Sequence, residues 1–182
     1  PYIEQTALYD SYNPNFFNEA DGPNNSNRIV NQTKMVGFNC PTDRNAGQLG
    51  RPGSGPSAAA PNNLHYDYMR GSYRGMSGAW DPARPTECWD DCGQSMNLKY
   101  IGLLPCVGYN NKPIQTMGSV SDGTTNTLAI GEYHTKTSLS RATYWSYSYT
   151  SYNSSQAYPE ARNLWPDYDA CNALSAQYST TS

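Results

Sequence analysis

Residues 121–132 read Ser-Asp-Gly-Thr-Thr-Asn-Thr-Leu-Ala-Ile-Gly-Glu, and this stretch constrains the fold more than any other. The dipeptide Asp122-Gly123 is typical of a tight turn, because glycine adopts positive φ angles without steric cost. Two interleaved sets of residues follow: Thr125, Thr127, Ala129 and Gly131 against Asn126, Leu128, Ile130 and Glu132. A turn followed by period-two alternation predicts a β-strand, which we place at residues 128–135.

The remaining pattern predicts short strands separated by long loops. Residues 3–12 predict a short helix, and strands are expected within residues 28–40, 65–80, 100–107 and 142–152. Residues 44–64 are rich in Gly, Pro, Ala and Ser, which predicts an exposed loop. No repeat of fixed period is visible, which argues against a solenoid or propeller. Residues 1–182 therefore predict one α+β domain, mainly antiparallel sheet with long loops.

The amino-acid composition of the chain limits the kinds of partner molecule that we expect it to bind. Of the 182 residues, 37% are hydrophobic, 15% charged and 13% aromatic, so the chain is not of the charged, aromatic-poor kind that stays disordered. The net charge is −3 and Lys and Arg form no cluster, which excludes nucleic acid as an expected partner. No apolar run approaches the ~18 residues that a membrane-spanning helix needs.

Five cysteines lie far apart in this polar chain: Cys40, Cys88, Cys92, Cys106 and Cys171. Such usage predicts disulfides and therefore an oxidising, extracellular compartment. Because five is odd, one thiol is unpaired or pairs with another chain. Cys88 and Cys92 are expected to close a small loop, and a longer link is expected among the other three, with the connectivity open. A zinc site that combines this pair with His65 or His134 lacks a second ligand pair.

Patterns of known catalytic chemistry are missing from the sequence. It has no Gly-x-Ser-x-Gly, His-Glu-x-x-His, phosphate-loop, dinucleotide-loop or c-type haem motif. His65 and His134 are the only histidines, and nothing in their spacing pairs either with a nucleophile. We therefore expect no catalytic residues and no enzymatic activity.

Carboxylates and asparagines supply two weaker predictions. Asp122 is the leading calcium candidate among scattered aspartates, but no cluster has EF-hand spacing, and a turn-forming role is favoured. A structural Ca²⁺ is thus the one cofactor considered. The acceptor pattern Asn-x-Ser/Thr occurs at Asn24, Asn31 and Asn153, which allows covalent glycans there.

Residues 144–152 concentrate aromatic side chains. If the segment is a strand, Trp145, Tyr147 and Tyr149 share one face. One interpretation is a half-buried strand with an aromatic inner face. The other is an aromatic platform for a subunit contact or for sugar rings, since Tyr and Trp combine apolar area with a polar tip. The residues assigned to that contact are Tyr144, Trp145, Tyr147, Tyr149 and Tyr152.

Three segments in fixed order carry a family resemblance. They are Pro1-Tyr2-Ile3-Glu4-Gln5 with Ala7-Leu8-Tyr9, then Phe38-Asn39-Cys40-Pro41-Thr42-Asp43, then residues 122–132. In this they resemble domain of unknown function 1559, a family of secreted pseudopilin-like proteins of planctomycete-type bacteria. The resemblance spans roughly residues 1–135, and residues 136–182 look divergent. The family's prepilin cleavage site, its apolar N-terminal helix and a second Asp-Gly turn near the C-terminus are not found here.

The resemblance implies a pilin-like globular head that lacks the apolar helix, and pilin-like heads often hold Ca²⁺. It also implies a structural subunit of an extracellular filament or surface appendage, a helical homopolymer whose partners are copies of itself. The alternative is a secreted glycan-binding or adhesion module that meets polysaccharide through exposed aromatics. A third interpretation is a secreted hydrolase. Its only support is the presence of two carboxylates, Glu132 and Asp122, that belong to no catalytic motif.

Overall fold

A computed structural model describes residues 4–16, 18, 27–53, 67–79, 101–105, 114–133, 139–147, 149 and 152–157. The helices in these ranges are α1 (Thr6–Asp10), α2 (Arg28–Asn31) and the 3-10 turns Val36–Phe38, Met117–Ser119 and Leu139–Arg141. The strands are β1 (Leu49–Gly50), β2 (Tyr68–Gly71), β3 (Tyr73–Ala79), β4 (Ile130–Glu132), β5 (Thr143–Tyr144) and β6 (Ser154–Ala157). None of the helices in these ranges has the length and apolar character to cross a membrane.

The strands form two small sheets, ordered β1-β2-β5 and β4-β3-β6. All pairings within them are antiparallel except β3 with β6, which run parallel. β2 and β3 follow each other along the chain with only Ser72 between them, so this residue joins the two sheets. Few helices and small, mostly antiparallel sheets confirm the α+β class.

Among the described residues, tyrosines supply most of the largest core cluster. Tyr68, Tyr144, Tyr147 and Tyr152 are fully buried, and we call these four the tyrosine core. Their ring centroids lie 4.7 Å apart for Tyr68 and Tyr147, and 5.3 Å apart for Tyr147 and Tyr152. These spacings suit tilted and edge-to-face aromatic packing, which stabilises a chain that has few aliphatic residues.

Buried phenols need hydrogen-bond partners, and the tyrosine core has them. The Tyr68 hydroxyl donates to the Asn18 carbonyl at 2.7 Å. The Tyr144 hydroxyl lies 3.0 Å from the Arg51 carbonyl and 3.1 Å from that of Leu139. Burial raises the pKa of Tyr144, while a hydrogen bond and the charge of Arg70 act in the opposite direction. The core is thus polar at its edges and aromatic within.

Arg70 is buried in the same sheet, and its side chain leaves room only for glycine at position 50. It stands opposite Tyr144 in the β2–β5 register, with its guanidinium 6.0 Å from that ring. The guanidinium fills the place that a side chain at Gly50 would occupy. Any residue with a Cβ at position 50 would therefore displace Arg70.

The strand predicted at residues 28–40 is wrong, because the segment is helical. It forms α2 and the 3-10 turn Val36–Phe38. Val30 and Met35 are buried, whereas the neighbouring Ile29 and Val36 face solvent. The helical form is closed by backbone hydrogen bonds, from the Asn31 amide to the Asn27 carbonyl at 2.8 Å and from the Gln32 amide to the Arg28 carbonyl at 3.0 Å.

The strand predicted at residues 142–152 is also largely wrong. Of the described residues in this range, only β5, Thr143–Tyr144, is a strand. The chain then turns, with the Tyr147 amide donating to the Tyr144 carbonyl at 3.2 Å. The turn removes the expected alternation of aromatic and hydroxyl side chains. Ser146, which the alternation assigns to the opposite face from Tyr147, is buried as well.

The other predicted helices and strands lie near the observed ones but differ from them in length. The helix at residues 3–12 is α1, the strands at residues 65–80 are β2 and β3, and the strand at residues 128–135 is β4. Within residues 100–107, Ile101 forms a single bridge to Gly78 and Leu104 is exposed, so no buried strand lies at 101–105. Part of the predicted loop 44–64 is folded, since it contains β1 and a buried Pro52.

Candidate functional site

Ser72 is fully buried between the two sheets and uses all its polar groups. Its hydroxyl donates to Asp43 Oδ2 at 2.9 Å and accepts from the Cys40 amide at 2.9 Å. Its own amide donates to the Phe38 carbonyl at 2.7 Å, and its carbonyl accepts from the Tyr133 amide at 2.8 Å. We call this set the Ser72 junction. It joins the segment that holds Cys40 and Asp43 to the end of strand β4.

The turn at Cys40–Asp43 is closed by local hydrogen bonds. The Asp43 amide donates to the Cys40 carbonyl at 3.1 Å, and Asp43 Oδ1 accepts from the Asn45 amide at 2.9 Å. Both carboxylate oxygens of Asp43 therefore accept hydrogen bonds, one from a backbone amide and one from Ser72. This carboxylate therefore ties the Cys40–Asp43 turn to Ser72 and to the Asn45 amide.

Cys40 is half-buried and carries a free thiol. Its Sγ lies 3.1 Å from Thr42 Oγ1. The phenol of Tyr73 is its other neighbour, and the pKa of Tyr73 is raised by loss of solvent contact, then by Cys40, and also by Glu132. The disulfide predictions for Cys88, Cys92, Cys106 and Cys171 fall outside the described residues.

The turn at residues 121–126 is also organised by its own side chains. Gly123 has φ of 82°, the left-handed region that favours glycine. Asn126 Nδ2 donates to the Asp122 carbonyl at 3.0 Å, and the Thr127 hydroxyl donates to the Gly123 carbonyl at 3.0 Å. Asp122 is exposed, and no group of three His, Cys, Asp or Glu occurs in the part of the chain that the structure describes. These contacts use the backbone carbonyl of Asp122, and the calcium prediction at its carboxylate stays a prediction.

An open groove of about 440 Å³ lies beside the Ser72 junction. Three aromatic residues line it: Phe38, Tyr73 and Trp145. The ring centroids of Phe38 and Trp145 lie 5.8 Å apart. The Trp145 indole donates to the Thr33 carbonyl at 3.3 Å, which fixes the ring. The described residues that line the groove are Gly37, Phe38, Tyr73, Arg74, Gly75, Leu104, Ile130, Trp145 and Asn153.

Arg74 is a buried cation in strand β3, between Tyr73 and Gly75 of the groove lining. It is buried, with Nε donating to Thr143 Oγ1 at 3.0 Å and Nη2 donating to the Arg141 carbonyl at 2.9 Å. Its guanidinium carbon lies 3.3 Å from the centroid of the Tyr133 ring, a cation–π contact. The guanidinium thus binds Thr143, Arg141 and Tyr133, none of which is among the described residues that line the groove.

The aromatic residues predicted for a subunit contact separate into two groups. Tyr144, Tyr147 and Tyr152 belong to the buried tyrosine core, so their side chains lie inside this chain and not on a surface platform. Tyr149 packs on that core, with its ring centroid 6.3 Å from Tyr147. Trp145 alone among the five lines the groove. The predicted contact surface narrows accordingly to Trp145 and the half-buried Tyr149.

Of the predicted glycosylation sites, Asn31 is buried in the structure. Asn31 lies in α2 with no exposed surface, and its Nδ2 is 3.5 Å from the Asn18 carbonyl. A glycan on that nitrogen has no path to solvent. Asn153 is half-buried and its Nδ2 donates to the Tyr147 carbonyl at 2.7 Å, while Asn24 lies outside the described residues.

Two residues that organise this region do not stand out in the sequence. Ser72 is one of many serines in the chain, and only its position between two strand-like runs could have singled it out. Arg74 lies in a predicted strand, an even number of positions from Tyr68 and Arg70, so the pattern assigns all three to one face. A charged residue in phase with a buried aromatic indicates a buried cation, and this was the available signal.

Comparison with known proteins adds one finding. The sequence profile of a family described as "Protein of unknown function (DUF1559)" matches residues 1–180. The match continues well past residue 135, so the expectation that residues 136–182 fall outside the resemblance is corrected. No curated protein and no solved structure matches the chain.

Proposed function

This chain belongs to the family of domain of unknown function 1559, and we propose that it is a structural subunit of an extracellular filament or surface appendage. One observation carries the proposal: the groove is open and its rim is apolar. Ile130 and Leu104 line it with 57% and 44% of their surface exposed, and Val36, next to Gly37, is 78% exposed. Exposed apolar surface of this kind marks an interaction site.

The hydrogen bonds of the family-like segments support a structural role. The Asp43 carboxylate and the Cys40 amide bind Ser72. In the turn that leads into β4, the Asn126 and Thr127 side chains donate to the carbonyls of Asp122 and Gly123. These hydrogen bonds stabilise the backbone of the two segments. The proposal therefore assigns no catalytic step and no resident cofactor to the chain.

Assembly into a filament requires contacts that do not close on themselves. A surface patch on one copy must meet a different patch on the next copy, because a self-complementary patch ends the assembly at a dimer. The partners of this chain are thus copies of itself in a helical homopolymer. An extracellular location agrees with a polar chain that has five cysteines.

Electron microscopy of the native material tests this proposal, together with sedimentation of the purified chain. We expect filaments with one helical repeat, and the variant Ile130→Glu should abolish them because it places a charge on the groove rim. Ile114→Glu is the matched control, since Ile114 is 78% exposed and is not among the lining residues. Dispersed particles in native material, or filaments that survive Ile130→Glu, would count against the groove as the assembly surface.

A second function has one observation in its favour. Trp145 lines the groove together with Tyr73 and Asn153, which add polar groups to the lining residues. Aromatic rings of this kind stack on the apolar faces of sugars, which suits a polysaccharide-binding module. Binding of soluble polysaccharide by dispersed chain, and its loss in Trp145→Ala, would favour this alternative over the filament.

A further inference from the structure

Strand β4 is an outer strand of its sheet. The order β4-β3-β6 leaves one side of β4 without a neighbouring strand in the part of the chain that the structure describes. On the side of β3, the Tyr133 amide donates to the Ser72 carbonyl and the Ala129 carbonyl accepts from β3, both at 2.8 Å. Backbone groups alternate in direction along an antiparallel strand, so those of Ile130 and Glu132 point to the outer side.

The outer side of β4 is open to pairing. Proteins commonly protect outer strands with Lys, proline or a bulge. Residues 128–133 read Leu-Ala-Ile-Gly-Glu-Tyr, with Glu132 as the only charge, and their register with β3 is continuous. Leu128 and Ile130 are 62% and 57% exposed, so apolar side chains flank the open backbone. An edge of this kind accepts another extended segment as a further strand.

Strand β6 is the outer strand on the opposite side of the same sheet. The Gly75 amide donates to the Asn153 carbonyl at 2.9 Å, and the Ser77 hydroxyl donates to a carbonyl two residues further on, that of Ser155, at 3.2 Å. Both carbonyls thus face β3, and the backbone groups of Ser154 between them point outward. β6 reads Ser-Ser-Gln-Ala and has no charged residue or proline. Within the described ranges, the sheet therefore has two open edges.

The directions of the strands decide how two copies can meet. β4 is antiparallel to β3 and β6 is parallel to it, so β4 and β6 run in opposite directions. A second copy placed beside the first in the same orientation therefore brings its β6 antiparallel to the open side of β4. This contact uses a different edge on each copy and does not close. Pairing of β4 with β4 would be self-complementary and would end at a dimer.

We propose that β4 of one copy pairs with β6 of the next copy, so that their sheets become continuous. The inference rests on the proposed filament function and names the two strands that form its contact. The incoming β6 supplies hydrogen-bond partners to the outward backbone groups of Ile130 and Glu132. It also shields the exposed side chains of Leu128 and Ile130 from solvent. Each added copy presents a new open edge, as a filament requires.

Proline substitutions test each edge, because proline has no amide hydrogen and is tolerated only where the ladder does not need one. Ile130→Pro removes an outward amide of β4, and Ser154→Pro removes one at the first residue of β6. Each should lower the association constant in sedimentation velocity at least about tenfold, since one backbone hydrogen bond of the contact is lost. Association of Ile130→Pro at wild-type strength contradicts the proposal.

Thr124→Pro is the matched control. Thr124 is exposed and is the second residue of the turn that the Asn126 amide closes on the Gly123 carbonyl at 3.1 Å. Proline is favoured at this place in a turn. The control should therefore assemble as the wild type does, which separates loss of an edge from a general effect of proline. Equal losses in the control and in Ile130→Pro would overturn the assignment of the contact to β4.

A mixture of the two edge variants tests whether the two edges belong to one contact. At a concentration at which each variant alone stays monomeric, an equimolar mixture should form dimers and nothing larger. The reason is that Ile130→Pro keeps an intact β6 and Ser154→Pro keeps an intact β4, which leaves one productive pair. A mixture that stays monomeric, or one that forms long assemblies, overturns the proposal. Circular dichroism checks that both variants are folded.

A photo-crosslinking amino acid at position 132 gives a readout that does not depend on proline. Glu132 is exposed, so the substitution leaves buried contacts unchanged. Isotope labelling of half the copies identifies the links that join different copies, and fragment sequencing should place these links within residues 154–157. Links between copies to residues 128–132 indicate pairing of β4 with β4. That result, or links between copies to any other segment, overturns the proposal.

The outcomes separate the failure of this inference from that of the filament function. If wild-type filaments form and Ile130→Pro assembles equally well, the β4 edge is not the contact and the filament function stands. If native material and purified chain both stay dispersed at high concentration, both proposals fail.

Discussion

The tyrosine core and the groove are built partly from the same run of residues, yet one is closed and the other open. Tyr144 and Tyr147 are fully buried, while Trp145, between them in sequence, lines the groove. The division arises because the chain turns after Tyr144 instead of continuing as a strand. A single aromatic run can therefore supply both the stability of a fold and the surface that it presents.

The two regions also differ in how their polar groups are satisfied. In the core, tyrosine hydroxyls bind backbone carbonyls, and Arg141 Nη1 donates to the Tyr152 hydroxyl at 3.0 Å. In the groove, apolar side chains such as Ile130 and Leu104 remain in contact with solvent. Substitutions in the core should therefore change stability, whereas those in the groove should change association.

Truncation of a core tyrosine is expected to have the largest effect on stability. Tyr147→Ala removes a ring that lies 4.7 Å from Tyr68 and 5.3 Å from Tyr152, measured between centroids. We expect the free energy of unfolding to fall by about 3–5 kcal/mol, as for other large aromatic truncations in cores. Ile130→Ala in the groove should stay within about 0.5 kcal/mol of wild type. Urea denaturation measures both, and equal losses would refute the division into core and groove.

Ser72→Ala should have an intermediate effect, because Ser72 joins the sheet that carries the core to the sheet that carries the groove. The substitution leaves Asp43 Oδ2 and the Cys40 amide without their partner. Loss of a buried hydrogen bond to a charged group costs about 1–3 kcal/mol. Ser121→Ala, in an exposed turn, is the control and should be neutral. A neutral Ser72→Ala would mean that the junction adds nothing to stability.

Sequence patterns found the elements whose signal is local. The Asp122-Gly123 turn and strand β4 follow from a glycine with positive φ and from period-two alternation. Strands β2 and β3 also lie in the predicted range. The α+β class was predictable for the same reason, since short alternating runs between turn residues favour small antiparallel sheets.

The parts that sequence reasoning missed depend on contacts between distant segments. Ser72 binds Asp43, which is 29 positions away, and the Trp145 indole binds Thr33, which is 112 positions away. The periodicity of apolar residues along the sequence carries no information about such long-range contacts. The segment at 28–40 misled for a related reason: Ile29 and Val36 look like core residues but are exposed, and Asn27 and Asn31 look like surface residues but are buried. In this chain, hydrogen-bonded polar residues occupy places where apolar ones were expected.

The smallest expected effect concerns one hydroxyl in the core and its dependence on pH. Tyr144→Phe removes the contacts to the carbonyls of Arg51 and Leu139, which should cost about 1 kcal/mol at pH 7. Burial raises the pKa of Tyr144 in the folded state. The folded chain therefore holds this proton more tightly than the unfolded chain does. Its contribution to stability is complete below the unfolded pKa of about 10 and is lost as the pH rises through the folded pKa.

Urea denaturation between pH 7 and pH 11, in steps, tests this sign for wild type and Tyr144→Phe. The wild-type advantage should be constant up to about pH 9 and should shrink above about pH 10, where the unfolded phenol ionises. Ile130→Val changes no titratable group, so its curve should run parallel to wild type. An advantage that stays constant or grows at high pH would show that the phenol is not protected from ionisation. Tyr144 would then be accessible to solvent, as the groove is, and would not belong to the enclosed tyrosine core.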